Sequence, residues 1–325
     1  METQKQFTES LPKIGISSCL LGNKVRFDGG HKNNRYITKT LVNHFGLVSF
    51  CPEAGSGMGT PRKPIRLVKQ NESVHVVGVD DATQDFTSVL EEYGPQNKET
   101  VEHLCGFILK KDSPSCGMER VKVYNADRPD AQPQREGEGV FAKYLRKTFP
   151  LLPVEDEGRI NDPVLRENFI ERVFIYQRWR ELQKKNMQPA DLVGFHAAHK
   201  YTIMAHDQKD AVKLGQLVAR CGVGNFSEVA DEYIELLMSV LKKRVSRGRH
   251  GNVLFHLTGY LREYLDDLER REIVNTIERY QQGLYPLIVP ITLLRHYFKK
   301  YPHEYIDKQY YLYPHPDELM LRNLL

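Results

Sequence analysis

The sequence predicts an α/β N-terminal domain with a mostly parallel sheet, followed by an all-α C-terminal domain. Two observations carry the prediction. Up to residue 155, short apolar and β-branched runs alternate with helical stretches, the rhythm of strands joined by crossover helices. Beyond Asp162-Pro163 the β-rich runs stop, and apolar residues recur at three-to-four spacing. At 325 residues and 40% hydrophobic, the chain has material for two cores. The acidic segment 155–158 reads as the seam, which gives expected domains over 1–157 and 158–325.

In the first domain, strands are expected at 14–17, 47–50, 74–79 and 106–109, with a helical stretch over 35–45. Segment 125–138, NADRPDAQPQREGE, is rich in turn formers and charge and nearly free of apolar residues, so it reads as a surface loop. The second domain opens on Asp162 as an N-cap with Pro163 at the first helical position. Leu165, Phe169, Val173 and Tyr176 form one apolar stripe there, and further helices are expected at 190–206, 208–220, 225–245, 250–268 and 286–299.

The net charge of +4, from 46 basic and 42 acidic residues, is too mild to demand a polyanionic partner, because nucleic-acid binding depends on how cations cluster. The start METQKQFTES has no apolar run behind a basic one, and nothing later resembles a membrane span, so a cytosolic protein with no membrane role is expected. Five cysteines, an odd number in a chain read as cytosolic, argue against a disulfide framework and for free thiols, a metal site or redox chemistry.

Three of those cysteines share a context. Cys19 in IGISSCLLG, Cys51 in LVSFCPEAG and Cys116 in FILKKDSPSCG each follow an apolar run that reads as a strand. In an open parallel sheet, strand ends converge on the carboxyl edge, where such folds place ligands. Spacing alone leaves open that these are three unrelated small buried residues, whereas Cys105 and Cys221, near helix ends, read as passive buried thiols. Asp28, Glu53, Arg62 and Ser113 put polar chemistry close to the three. Three soft thiolates suit an iron-sulfur cluster with one open iron better than a hard cation, with zinc the competing occupant.

In the second domain, Lys242, Lys243, Arg244, Arg247 and Arg249 form the densest basic run, readable as a solvated turn or as a phosphate-contacting patch for RNA. His196, His199 and His206 share a predicted helix without a completing HExxH signature, and read as packed or hydrogen-bonded. Tyr260, Tyr285, Tyr297 and Phe298 lie at helical spacing, which favours core over base stacking.

The blocks SSCLLGNKVRFDG, CPEAGSGMGTPRKP and KKDSPSCG, in that order, resemble the thiouracil desulfurase (TudS) family. FHAAHKYTIMAH, NVLFHLTGY, YPLIVPITLLRHY and YLYPHPDELMLRN resemble the YbgA-type helical domain, and the fusion resembles RudS-type proteins. The resemblance implies a [4Fe-4S] cluster on Cys19, Cys51 and Cys116, with Glu53 and Ser113 as the catalytic pair; from the residues themselves, Asp28 reads as a substrate contact or an Asp-Gly-Gly turn, and Arg62 as a contact to a phosphate or carboxylate or an ordinary surface pair. It implies hydrolytic removal of sulfur from 4-thiouridine in tRNA, with the basic run as RNA contact. The alternatives are a desulfurase of free thiouracil and a non-catalytic iron-sulfur protein that binds RNA or senses redox state.

Overall fold

The computed structural model describes residues 11–323 apart from Pro129 and Met320. The chain forms two compact units, which divide between Asp162 and Pro163.

The first unit contains two four-stranded sheets. One is wholly parallel, with β1 (Lys13–Ser17), β2 (Gly46–Phe50), β5 (Gly106–Leu109) and β8 (Val154–Asp156) in the order β2-β1-β5-β8. Ile14 pairs with Leu47 on one side and Gly106 on the other, so β1 is central. Its Ile14 and Ile16 are fully buried, as are Phe107, Ile108 and Leu109 of β5, which is the continuous apolar burial that a parallel sheet covered on both faces requires. Gly15 separates the two isoleucines because the Phe107 ring lies against the β1 backbone, 2.3 Å from where a Cβ would stand.

The other sheet is mixed: β3 (Ile65–Gln70), β4 (Ser73–Gly78), β6 (Val121–Asn125) and β7 (Gln134–Gly137) lie in the order β4-β3-β6-β7. Only β3 and β6 run parallel. This sheet was not expected beyond β4. Its edge strand β7 corrects the expected surface loop over 125–138: Gln134, Arg135 and Glu136 are exposed, so hydrogen bonding to β6 makes the strand without any apolar signal.

The acidic segment read as a seam is also structured. Glu155 and Asp156 are buried in β8, and Asp156 caps the helix Glu157–Ile160 by accepting from the Arg159 amide at 2.9 Å.

The second unit is helical. Its helices span Pro163–Lys184, Pro189–His206, Gln208–Ala219, Phe226–Leu241, Arg247–Gly259, Asp267–Gln281, Ile288–Lys300 and Glu304–Asp307. The single helix expected over 250–268 stops at Gly259, and a new one starts behind the capping box of Asp266 and Glu269. Val253, Leu257, Ile273, Ile277, Ile291 and Leu294 make the core with Tyr311 and Leu312 of the C-terminal segment. Among the described residues, no helix is long and apolar enough to cross a membrane.

Candidate active site

The three adjacent strands β2, β1 and β5 end on one edge of the parallel sheet, and each delivers a cysteine there. Cys19 sits in the short 3-10 turn Ser18–Leu21 after β1, Cys51 is the N-cap of helix Pro52–Gly55 after β2, and Cys116 lies in the loop after β5. All three line one cavity of about 350 Å³, together with Glu53, Arg62 and Ser113. Cys105 and Cys221 are buried elsewhere, the latter with its thiol 3.7 Å from the Pro189 carbonyl oxygen.

The thiols lie in low-dielectric surroundings. Burial pushes Cys19 up to about 11, against the opposing charge of Lys110, and burial likewise raises Cys51 and drives Cys116 well above its ordinary value. In the chain alone the three therefore hold their protons at neutral pH, and a metal centre would have to displace them.

Glu53, two residues past Cys51, is the centre of a hydrogen-bonded fork. Its Oε2 accepts from Arg62 Nε at 3.0 Å and also from Nη2. Its Oε1 accepts from Ser115 Oγ at 3.0 Å and from Ser113 Oγ at 3.4 Å. Arg62 is held in turn, since Nη1 donates to the carbonyl oxygens of Val25 at 3.0 Å and Gly59 at 2.9 Å. The carboxylate has thus one oxygen committed to a cation and the other to two hydroxyls, of which that of Ser113 belongs to a residue lining the cavity. Ser113 Oγ additionally accepts the amides of Ser115 and Cys116, both at 3.2 Å, which shapes the loop presenting Cys116.

Sequence reasoning missed Ser115 and Lys110. Ser115 is fully buried, and the second serine of SPSCG was the available signal. Lys110, at the end of β5, lines the cavity. Its amide donates to Ser17 Oγ at 2.9 Å, and its Nζ pairs with Glu157, a residue of the supposed seam.

Asp28 is not among the lining residues. Its Oδ1 accepts the Gly30 amide at 2.9 Å and stands 3.5 Å from Arg26 Nε, so it shapes the turn. In the second unit, Lys242, Lys243, Arg244, Arg247 and Arg249 are all exposed around the junction of two helices. Lys243 is tied to Asp207 at 2.8 Å and Asp210 at 2.6 Å, and Arg249 donates to the His206 carbonyl. His196 meets Tyr233 OH at 3.1 Å, His199 meets the Phe195 carbonyl at 2.7 Å, and His206 meets Glu171 at 2.9 Å.

The loop carrying Ser113, Ser115 and Cys116 packs on Gly139 so closely that a Cβ there would stand 2.6 Å from the Ser115 backbone carbon. Backbone cannot yield as a side-chain end can. Gly139→Ala is therefore expected to destabilise the first unit by about 1–3 kcal/mol, the usual cost of overpacking, and urea unfolding followed by circular dichroism reads it.

Comparison with known proteins finds matches for two regions of the chain. A family model described as 2-thiouracil desulfurase matches residues 14–157. The uncharacterized protein YbbK of Bacillus subtilis (strain 168) is 32% identical over 155 residues, which cover 46% of this chain and 98% of that protein. The chain belongs to the 2-thiouracil desulfurase family. Its desulfurase region holds the three cysteines, Glu53, Arg62 and Ser113. A second model, for a protein family of unknown function (DUF1722), matches residues 200–316. The uncharacterized protein YbgA of Escherichia coli (strain K12) is 28% identical over 153 residues, 47% of this chain and 90% of that one. Among solved structures, a [4Fe-4S]-dependent thiouracil desulfidase, TudS, is similar at 28% identity, covering 46% of this chain and 94% of its own with a TM-score of 0.37.

Proposed function

We propose that this protein is a [4Fe-4S]-dependent desulfidase that hydrolyses 4-thiouridine in tRNA to uridine and sulfide. The observation that carries the reading is the meeting of three thiols from three adjacent strand ends around one cavity, with the Glu53 fork on its wall. The donor set fits the cluster. Among the described residues, no three Cys, His, Asp or Glu side chains stand close enough to share a single ion. Cys19, Cys51 and Cys116 all line one cavity of about 350 Å³. Three cysteines leave one iron without a protein ligand, and when bound the cluster supplies a soft Lewis acid for the thiocarbonyl sulfur.

The remaining chemistry belongs to the chain. Water adds to the carbon that carries sulfur, a C–O bond forms, the C–S bond breaks, and no electrons are gained or lost. Glu53 Oε1 takes one water proton as the C–O bond forms and passes it to the departing sulfur, then takes the second from the hydroxyl of the adduct as the carbonyl forms, so that both protons leave with the sulfur as hydrogen sulfide. Arg62 prevents the carboxylate from turning, and the hydroxyls of Ser113 and Ser115 hold Oε1 in place. The exposed turn bearing Lys242, Arg244 and Arg247 supports contact with tRNA phosphates, which position a nucleic acid without reading its sequence.

The second reading, desulfurization of free thiouracil, is favoured by the fact that every residue lining the cavity belongs to the first unit. The test is anaerobic reconstitution of the full chain with iron and sulfide, followed by loss of the near-ultraviolet band of 4-thiouridine in tRNA. Loss that requires Cys19, Cys51 and Cys116 is the expected result. Turnover of free thiouracil alone selects the second reading, and a brown protein inert toward both overturns the proposal.

A further inference from the structure

We propose that the hydroxyls of Ser17 and Ser18 donate hydrogen bonds to sulfur at the metal centre and raise its reduction potential, which protects the iron that has no protein ligand. The inference rests on the [4Fe-4S] reading and goes beyond it. It gives a task to the two serines of the SSCLLG block, which the desulfidase chemistry leaves unused.

Four serines stand around Glu53 and the cavity, and their protons divide into two groups. Ser113 and Ser115 give theirs to Glu53 Oε1, at 3.4 Å and 3.0 Å. Ser17 and Ser18 line the cavity, are 2% and 7% exposed, and have their oxygens occupied by the scaffold. Ser17 Oγ accepts the Lys110 amide at 2.9 Å, and Ser18 Oγ accepts Asn23 Nδ2 at 2.8 Å. Each hydroxyl still has one proton to donate. Among the described residues, neither gives it to an oxygen or a nitrogen.

The acceptors that remain are sulfurs. Burial pushes the Cys116 thiol up, and the hydrogen bond from Ser17 is the influence that opposes it. Ser18 precedes Cys19 in one 3-10 turn, and both residues line the cavity. Cys51 is served differently, since the backbone amides of Ala54 and Glu53 work against its burial. The placement of Ser17 is unusual for its strand: β1 is otherwise apolar where it is buried, and a buried hydroxyl is unfavourable unless its proton has an acceptor.

A thiol accepts weakly, whereas a thiolate or sulfide carries the charge that makes such a bond strong. The two hydroxyls are therefore fully satisfied only with the metal centre in place. A donor to sulfur stabilises the more negative, reduced state more than the oxidised one, and so raises the potential. For a centre that serves as a Lewis acid, the consequence is resistance to dioxygen. Dioxygen takes one electron from the [4Fe-4S] centre in its 2+ state and becomes superoxide, and the resulting 3+ state sheds one ferrous ion to leave a three-iron cluster of charge 1+. A higher potential opposes the first of these steps.

The test uses the full-length chain reconstituted without air, and its readout is the midpoint potential of the cluster, followed by electron paramagnetic resonance during reductive titration. Ser18→Ala is the clean variant, because Asn23 is exposed and water replaces the partner it loses. Ser17→Ala also leaves the Lys110 amide without its acceptor, so Ser17→Thr, which keeps a hydroxyl, accompanies it. Each alanine is expected to lower the potential with iron and sulfide content unchanged. The expected size is about ten-fold in the equilibrium between oxidised and reduced centre, or about 59 mV for one electron. Ser17→Thr should stay at the wild-type value, and in air both alanine variants should lose visible absorbance faster than the wild type. Unchanged potentials in both alanine variants overturn the proposal. So does a Ser17→Thr potential as low as that of Ser17→Ala, the mark of altered packing rather than a lost donor. Should Ser17→Ala take up no iron, Ser18→Ala decides. Lowered potentials in a protein inert toward every thiouracil overturn the desulfidase reading alone, whereas turnover with unchanged potentials overturns the role of the hydroxyls alone. A wild type that takes up no iron overturns both.

Discussion

Glu53→Gln is expected to slow loss of the thiocarbonyl by about two to four orders of magnitude, the usual worth of a positioned general base. The substitution removes the base and little else. A glutamine carbonyl can accept from Arg62 while its amide donates to Ser115, whose hydroxyl oxygen then acts as the acceptor, Ser113 Oγ being already taken by two backbone amides. The fork and the neighbouring Cys51 should therefore keep their places, and iron content and visible absorbance should match the wild type. Single-turnover decay of the near-ultraviolet band in cluster-loaded protein is the measurement. Near wild-type decay would remove Glu53 from the chemistry and assign the proton transfer to another group. Ser115→Ala should act more weakly, because Ser113 still meets Oε1. Its expected mark is a lower kcat with KM unchanged, since Ser115 is buried and positions Glu53.

The legibility of this chain follows burial. The parallel sheet was readable because its strands are buried on both faces and so appear as unbroken apolar runs, as Phe107, Ile108 and Leu109 illustrate. The meeting of Cys19, Cys51 and Cys116 followed from that topology, because parallel neighbours end on one edge. The mixed sheet was harder: the one buried residue of β7, Gly137, has no side chain, so periodicity had nothing to detect. Acidic residues at 155–157 were read as a boundary because charge usually marks solvent. Here Glu155 is neutralised by Arg159, Asp156 caps a helix and Glu157 holds Lys110 beside the cavity. Long-range pairs of this kind leave no local pattern. The same holds for Lys243, which sequence presents as one more cation in a basic run and which the fold spends on Asp207 and Asp210.

The second large effect is expected far from the cavity, at Arg322. Its side chain is almost wholly buried in the helical unit, with Nε 2.9 Å from Glu167, Nη2 3.5 Å from Glu171, and Nη1 donating to the Tyr311 carbonyl at 2.7 Å. Its own carbonyl accepts from the Ile288 amide at 3.0 Å, so this residue fastens the C-terminal segment to helices Pro163–Lys184 and Ile288–Lys300. Burial by itself would raise Glu171, but the hydrogen bond and charge of His206, together with Arg322, hold it down to about 2. Arg322→Ala takes the cation from Glu167 and leaves Glu171 with His206 as its remaining partner, and removing one partner of a buried pair costs about 3–5 kcal/mol. The only tryptophan, Trp179, is buried in this unit, so its fluorescence in urea reports the helical transition free of the desulfurase unit. Acid should act in the same direction as the substitution. Burial lowers His250 to about 3 and His315 to about 4, and Glu171 also stays below its ordinary value of 4.5. All three bind protons more readily unfolded than folded. Stability they contribute is complete above about pH 6.5, the ordinary value for histidine, and is lost as pH falls through the folded values. The Trp179 transition should therefore move to lower urea on going from pH 7 to pH 4. An Arg322→Ala protein with an unshifted midpoint at pH 7 would show that the C-terminal segment is held by its apolar residues, Tyr311 and Leu312, and not by the buried charges.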